Sequence, residues 1–158
     1  MMIRPAMMDV SRRLLVVAAV AAALVPAGFA AAEGTHVYAP GGVAIEGYDP
    51  VAYFTTGHAI AGTQDHMLKW RGAIWLFASA ENLEAFEMNP ASYAPQYGGF
   101  CAYGMGEGET ATSDPQVFVV EDGRLYLYHN PATRAEMQSN FAAYVSRADQ
   151  RWLDMARN

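Results

Sequence analysis

The single cysteine of this 158-residue chain, Cys101, is its sharpest chemical feature. It lies in residues 93–105, a run too rich in glycine and aromatic side chains for an ordinary helix or strand. Gly98, Gly99, Gly104, Gly106 and Gly108 allow the backbone positive φ or close approach to another group. Tyr93, Tyr97, Phe100 and Tyr103 bring large apolar bodies that need a wall to pack on. Compact loops of this kind often carry sites. The other soft or borderline donors are Met105, His66, His129, His58, His36 and Met67. Cys101 and Met105 stand four apart, so in a loop a thiolate and a thioether can converge, a combination that favours Cu(I). His66 opens one predicted strand and His129 closes another. If the two hairpins share a sheet, one of these imidazoles reaches Cys101. The chemistry expected is a copper or zinc site built on Cys101 with His66, Met105 and His129.

Two other readings stay open beside it, because no His-x-x-x-His, Cys-x-x-Cys or Met-rich repeat is present. In the first, the domain holds no metal. Exposed tyrosine and tryptophan around the glycine loop grip a peptide or small ligand, and Cys101 is a small buried hydrophobe. In the second, Cys101 is the nucleophile or redox thiol of an enzyme. That role needs a neighbouring base or cation, and the residues around Cys101 are Tyr, Gly and Ala. Glu107 and Glu109 fall in a polar loop where carboxylates are solvated by default, with nothing to set them in different environments. There is no Ser-His-Asp arrangement and no phosphate-cradling glycine loop ending in lysine.

The elements that must position these groups can be read from punctuation and period. Gly47 and Asp49-Pro50 mark a turn in which Asp49 accepts from backbone N–H groups. Residues 51–54 form a short buried strand or turn. Residues 66–70 and 73–77 are strands joined by Arg71-Gly72 as a hairpin. Ser79 caps a helix over 80–88, closed by Asn89-Pro90. Residues 104–114 are a mobile, acidic, glycine-rich loop. Residues 115–120 and 125–128 form a second hairpin across Asp122-Gly123. Asn130 and Pro131 then start a helix that runs to about residue 154. Met137, Phe141, Tyr144, Val145, Ala148 and Trp152 give that helix a core-facing stripe. The predicted fold is α+β: a small antiparallel sheet of hairpins, a short helix and a long C-terminal helix packed on one face.

The N-terminus supplies an address. Arg4, Arg12 and Arg13 precede an uncharged apolar stretch over 14–25, and small residues follow at Gly28, Ala30 and Ala32. This is the pattern of a cleaved secretory signal peptide over 1–32, too short to span a bilayer comfortably. It implies a periplasmic or secreted protein that meets the membrane only through that segment if it stays uncleaved. Removing it takes away Arg4, Arg12, Arg13 and Asp9, so the remaining 126 residues carry 7 basic and 15 acidic groups, a net charge of −8. An acidic domain with one lysine repels phosphate backbones, which argues against a nucleic-acid partner and for a metal ion or small ligand. The length fits a polar lead-in over 33–42 and one domain over 43–155. A lone cysteine in an oxidising compartment cannot close an internal disulfide.

Asp49-Pro50-Val51, then Trp70-Arg71-Gly72-Ala73-Ile74-Trp75-Leu76-Phe77, Phe86 and Asn89-Pro90-Ala91-Ser92-Tyr93 together resemble the YHS domain family. The longer pattern, with residues 47–54 and 96–102, resembles the secreted YHS domain-containing proteins of bacteria. The resemblance covers about residues 43–155 and implies the fold given above. Short YHS domains of metal-transporting ATPases carry cysteines where this chain has Ala52, Ala78 and Asn82. Alanine has no donor and an Asn amide is a poor soft-metal ligand, so a thiolate site at those positions is excluded here. Cys101 belongs to the longer pattern, and the resemblance leaves it as a relocated ligand or a structural thiol. Asp49, Tyr97, Gly98 and Gly99 are the loop residues on which this arrangement turns.

Overall fold

Two hairpins carry the frame in the computed structural model, which describes residues 36–157. The predicted leader over 1–32 lies outside the described residues. Strand β1 (Thr63–Trp70) pairs antiparallel with β2 (Ala73–Phe77), and β3 (Asp114–Glu121) with β4 (Arg124–Tyr128). Both connections are two-residue turns with positive φ at each central residue: 49° and 78° at Arg71-Gly72, 49° and 71° at Asp122-Gly123. That is the turn whose twist matches a hairpin. The hairpins form two separate two-stranded sheets, not one shared sheet.

Helices fill the rest: α1 (Ala52–Thr55), α2 (Ala80–Met88), α3 (Pro90–Tyr93), α4 (Ala102–Glu107), α5 (Pro131–Ser139) and α6 (Phe141–Ala156). The expected caps are in place. Ser79 accepts from the Asn82 N–H, and Asn130 forms a capping box with Thr133. The fold is the predicted α+β. Of the strand or turn expected over 51–54, the chain takes a helical turn, and two local differences follow. The C-terminal helix breaks at Asn140, whose φ of −150° and ψ of 57° end α5 and begin α6. The supposed loop after Gly104 is helical through Glu107, because α4 packs edge-on against α6. A Cβ at Gly106 would lie 3.1 Å from the Tyr144 ring, so glycine here serves close approach and not mobility.

Strand β4 divides the interior. Its residues alternate between faces, and both faces are buried. Leu125 and Leu127 join a first core with Ile45, Tyr53, Trp75, Phe77 and Phe86. Tyr126 and Tyr128 join a second core with Tyr97, Cys101, Met105, Met137 and Ala148. The stripe read along the C-terminal helix packs against this second core despite the break at Asn140.

Two short left-handed turns lock the cores together. Ile45, Glu46 and Gly47 have φ of 42°, 56° and 83°; Tyr97, Gly98 and Gly99 have 54°, 62° and 88°. Such φ costs an L residue about 1–2 kcal/mol, and a β-branched Ile rarely adopts it. Packing holds it here. A Cβ at Gly99 would lie 2.6 Å from Ile45 Cγ2, and one at Gly98 would fall on the His36 carbonyl oxygen. Tyr38 donates its N–H to the Gly98 carbonyl at 2.9 Å, and Ile45 donates to the Tyr38 carbonyl at 2.9 Å. Among the described residues no helix is long and apolar enough to cross a membrane.

Candidate functional site

Cys101 precedes α4 and is 1% exposed. Its N–H donates to the Ala111 carbonyl at 2.9 Å, its carbonyl accepts from Met105 N–H at 2.9 Å, and its Sγ accepts from His129 N–H at 3.3 Å. The thiol is thus built into the backbone network that joins α4 to the end of β4. Met105 is fully buried in the second core, four residues on, as a filler among aromatic rings. His129 is exposed, and its Nδ1 lies 3.1 Å from Thr112 Oγ1. A depression of about 330 Å³ beside it is lined by Cys101, Tyr103, Glu107, Glu109 and His129.

The other expected donors are not brought to Cys101. His66 stands on β1, within the irregular stretch between the Thr63 and Met67 pairings, and β1 pairs only with β2. The group it acts on is Glu81 at the start of α2. That carboxyl is held below its usual range first by backbone N–H bonding, then by Ser79, with His66 a smaller contributor. Of the expected set Cys101, His66, Met105 and His129, the first, third and fourth lie around α4 and the end of β4, whereas His66 stands on the other hairpin. Met67 and His58 lie on the surface, and His36 sets its ring edge-on to Trp152 with centroids 6.2 Å apart. Among the described residues, no three His, Cys, Asp or Glu side chains gather as metal donors.

Asp49 does more than the expected Asx turn. Its fully buried carboxylate accepts from Val51 N–H (2.8 Å), Ala52 N–H (3.3 Å), Ala78 N–H (2.8 Å) and the Asn82 amide (2.6 Å). One side chain thereby ties α1, the end of β2 and α2. Ala52, Ala78 and Asn82 come from three places in the sequence and meet at this carboxylate.

An aromatic cleft lies elsewhere. Trp70 at the end of β1, Trp75 on β2 and Trp152 on α6 are the three tryptophans of the chain, and all line one cleft of about 170 Å³ with Tyr97, Gly98 and Arg71. Trp75 is the buried floor, and its indole N–H donates to the Trp70 carbonyl at 3.0 Å. Trp70 meets Trp75 edge-on at 5.6 Å, and Tyr97 meets Trp152 edge-on at 6.2 Å. The Tyr97 hydroxyl donates to Asp149 at 2.9 Å. Burial first, and then that bond, raise the phenol well above its ordinary 10.0, so Tyr97 remains a neutral donor. Arg71 places its guanidinium 4.5 Å above the Trp70 ring.

The comparisons decide nothing further: no protein-family model, curated protein or solved structure matches the chain. The site must be judged on its own geometry. Sequence reading placed Tyr97, Gly98 and aromatic side chains near a binding surface. It assigned Trp70 and Trp75 to strands and Trp152 to a core stripe, and did not join them. The available signal was the placement of Trp70 and Trp75 on either side of a two-residue turn: Trp70 pairs with Ala73 and Trp75 with Leu68, so the two indoles are diagonal neighbours at one hairpin end.

Proposed function

We propose that this chain is a periplasmic or secreted binding domain of YHS-like fold that takes its ligand in the tryptophan cleft without a metal, with Cys101 structural. One observation carries the reading: three tryptophans from three elements converge with Tyr97 on a single cleft. A concave wall of aromatic and aliphatic side chains with a few polar groups is the usual form of a small-ligand site. The YHS-like assignment draws support from Asp49. The three positions where the family's short form carries cysteines all bond to its carboxylate, as if a hydrogen-bonded node had replaced a ligand cluster.

Intrinsic tryptophan emission tests this reading, followed while the protein is titrated with a panel of aromatic, aliphatic and peptide compounds. A saturable change with members of the panel is expected. No saturable change across the panel would overturn it. A second reading, copper or zinc on Cys101 and His129, rests on the depression that both residues line. Stoichiometric Cu(I) or Zn(II) binding that disappears in Cys101→Ser would favour it.

A further inference from the structure

We infer that the tryptophan cleft selects a small planar aromatic carboxylate, its ring held against the indoles and its carboxylate on Arg71. This rests on the cleft being the binding site, and it adds the class of ligand.

Size sets the first bound. About 170 Å³ is roughly the liquid volume of six waters, taking about 30 Å³ each, and is below the range of drug-sized pockets. One ring with a short substituent fills it. The walls set the second bound. Indole faces and edges favour a planar π-system stacked or set edge-on over an aliphatic chain.

Charge sets the third bound. Among the described residues Arg71 is the only charged one lining the cleft, in a chain of net charge −6. In a domain that is acidic overall, a cation beside an aromatic slot is a place where an anion is favoured. The Trp70 ring orients the guanidinium from 4.5 Å away. A guanidinium carries five N–H donors in a planar fork, so it can serve a carboxylate while keeping another partner.

The backbone adds a fourth observation. Of the five non-glycine residues with positive φ among those described, Arg71 (49°) and Tyr97 (54°) both line this cleft. At Arg71 the hairpin turn requires that φ. At Tyr97 it is imposed by the interlocked left-handed turns, and strain of this kind gathers at ligand sites.

The test is calorimetry on the protein recovered from expression of the full chain, with phenylacetate, its neutral isostere phenylacetamide, and acetate. The expected result is saturable binding of phenylacetate, at least about tenfold weaker binding of phenylacetamide, and none of acetate. Arg71→Asn keeps a residue that tolerates left-handed φ and removes the cation. It should weaken phenylacetate about tenfold, a loss of about 1.4 kcal/mol, and leave phenylacetamide unchanged. Equal binding of phenylacetate and phenylacetamide by the unmodified protein would overturn the carboxylate assignment and leave the cleft standing as a binding site. That comparison needs no variant, so misfolding of Arg71→Asn cannot obscure it. No binding of either aromatic probe overturns the ligand class, and the emission panel then decides whether the cleft binds anything.

Discussion

The tryptophan cleft and the Cys101 depression differ in how their polar atoms are employed. At Cys101 the backbone N–H, the carbonyl and the sulfur all have partners within the protein, and the thiol is closed off from solvent. At the cleft four aromatic rings share the wall with aliphatic side chains, Gln96 and the Arg71 guanidinium. A group whose bonds are all made internally stabilises the fold, and a concave aromatic surface with one cation has something to offer a ligand. The rarest residue in a chain need not mark its site.

The largest break in this comparison is Gly98→Ala. A Cβ there, at φ of 62°, would fall on the His36 carbonyl oxygen and lie 3.0 Å from the Trp152 ring. Overpacking and left-handed strain together should cost about 3 kcal/mol, read as a lower urea midpoint, with loss of cleft binding. Next is Tyr97→Phe, which removes a bond to a charged acceptor and should cost about 1.5 kcal/mol. Its pH signature is specific. The folded phenol titrates above its ordinary value, so the unfolded chain ionises first. The contribution is complete below about pH 10 and fades as pH rises from there through the folded value. Tyr97→Phe should flatten this alkaline fall in thermal melts.

Cys101→Ala should cost only about 1 kcal/mol, the price of a small cavity, and leave ligand binding at the cleft unchanged. Calorimetry on the variant checks both halves. Smallest is Tyr128→Phe. The buried Tyr128 hydroxyl lies near the Gln138 amide but outside hydrogen-bond geometry, and burial raises its pKa to about 12. Removing an unpaired buried hydroxyl should be neutral or stabilising by up to about 1 kcal/mol in urea denaturation.

Much of the frame was legible because it depends on neighbours in sequence. Asp122-Gly123 declares its turn, Ser79 and Asn130-Pro131 declare their helices, and the structure follows them. What was not legible depends on distant partners. Gly104 and Gly106 read as loop residues until Ala111 and Tyr144 are seen to press against them. Asn140 breaks a stripe whose apolar period continues across it. Asp49 announced an Asx turn, but its reach to Ala78 and Asn82 crosses 29 and 33 residues. The cleft draws on residues 37 to 152, so no local pattern could disclose it, whereas the lone Cys101 was conspicuous in any window.

The most direct measurement is a heteronuclear NMR titration with phenylacetate, following the backbone amides and the three indole N–H signals together. The account predicts that the Trp70 and Trp152 indoles and the amides of Arg71 and Gly98 shift with one saturation curve, while the amides of Cys101, Glu109 and His129 stay fixed. Shifts centred on Cys101 and His129 with unmoved indoles would contradict it and return the chemistry of this chain to its cysteine.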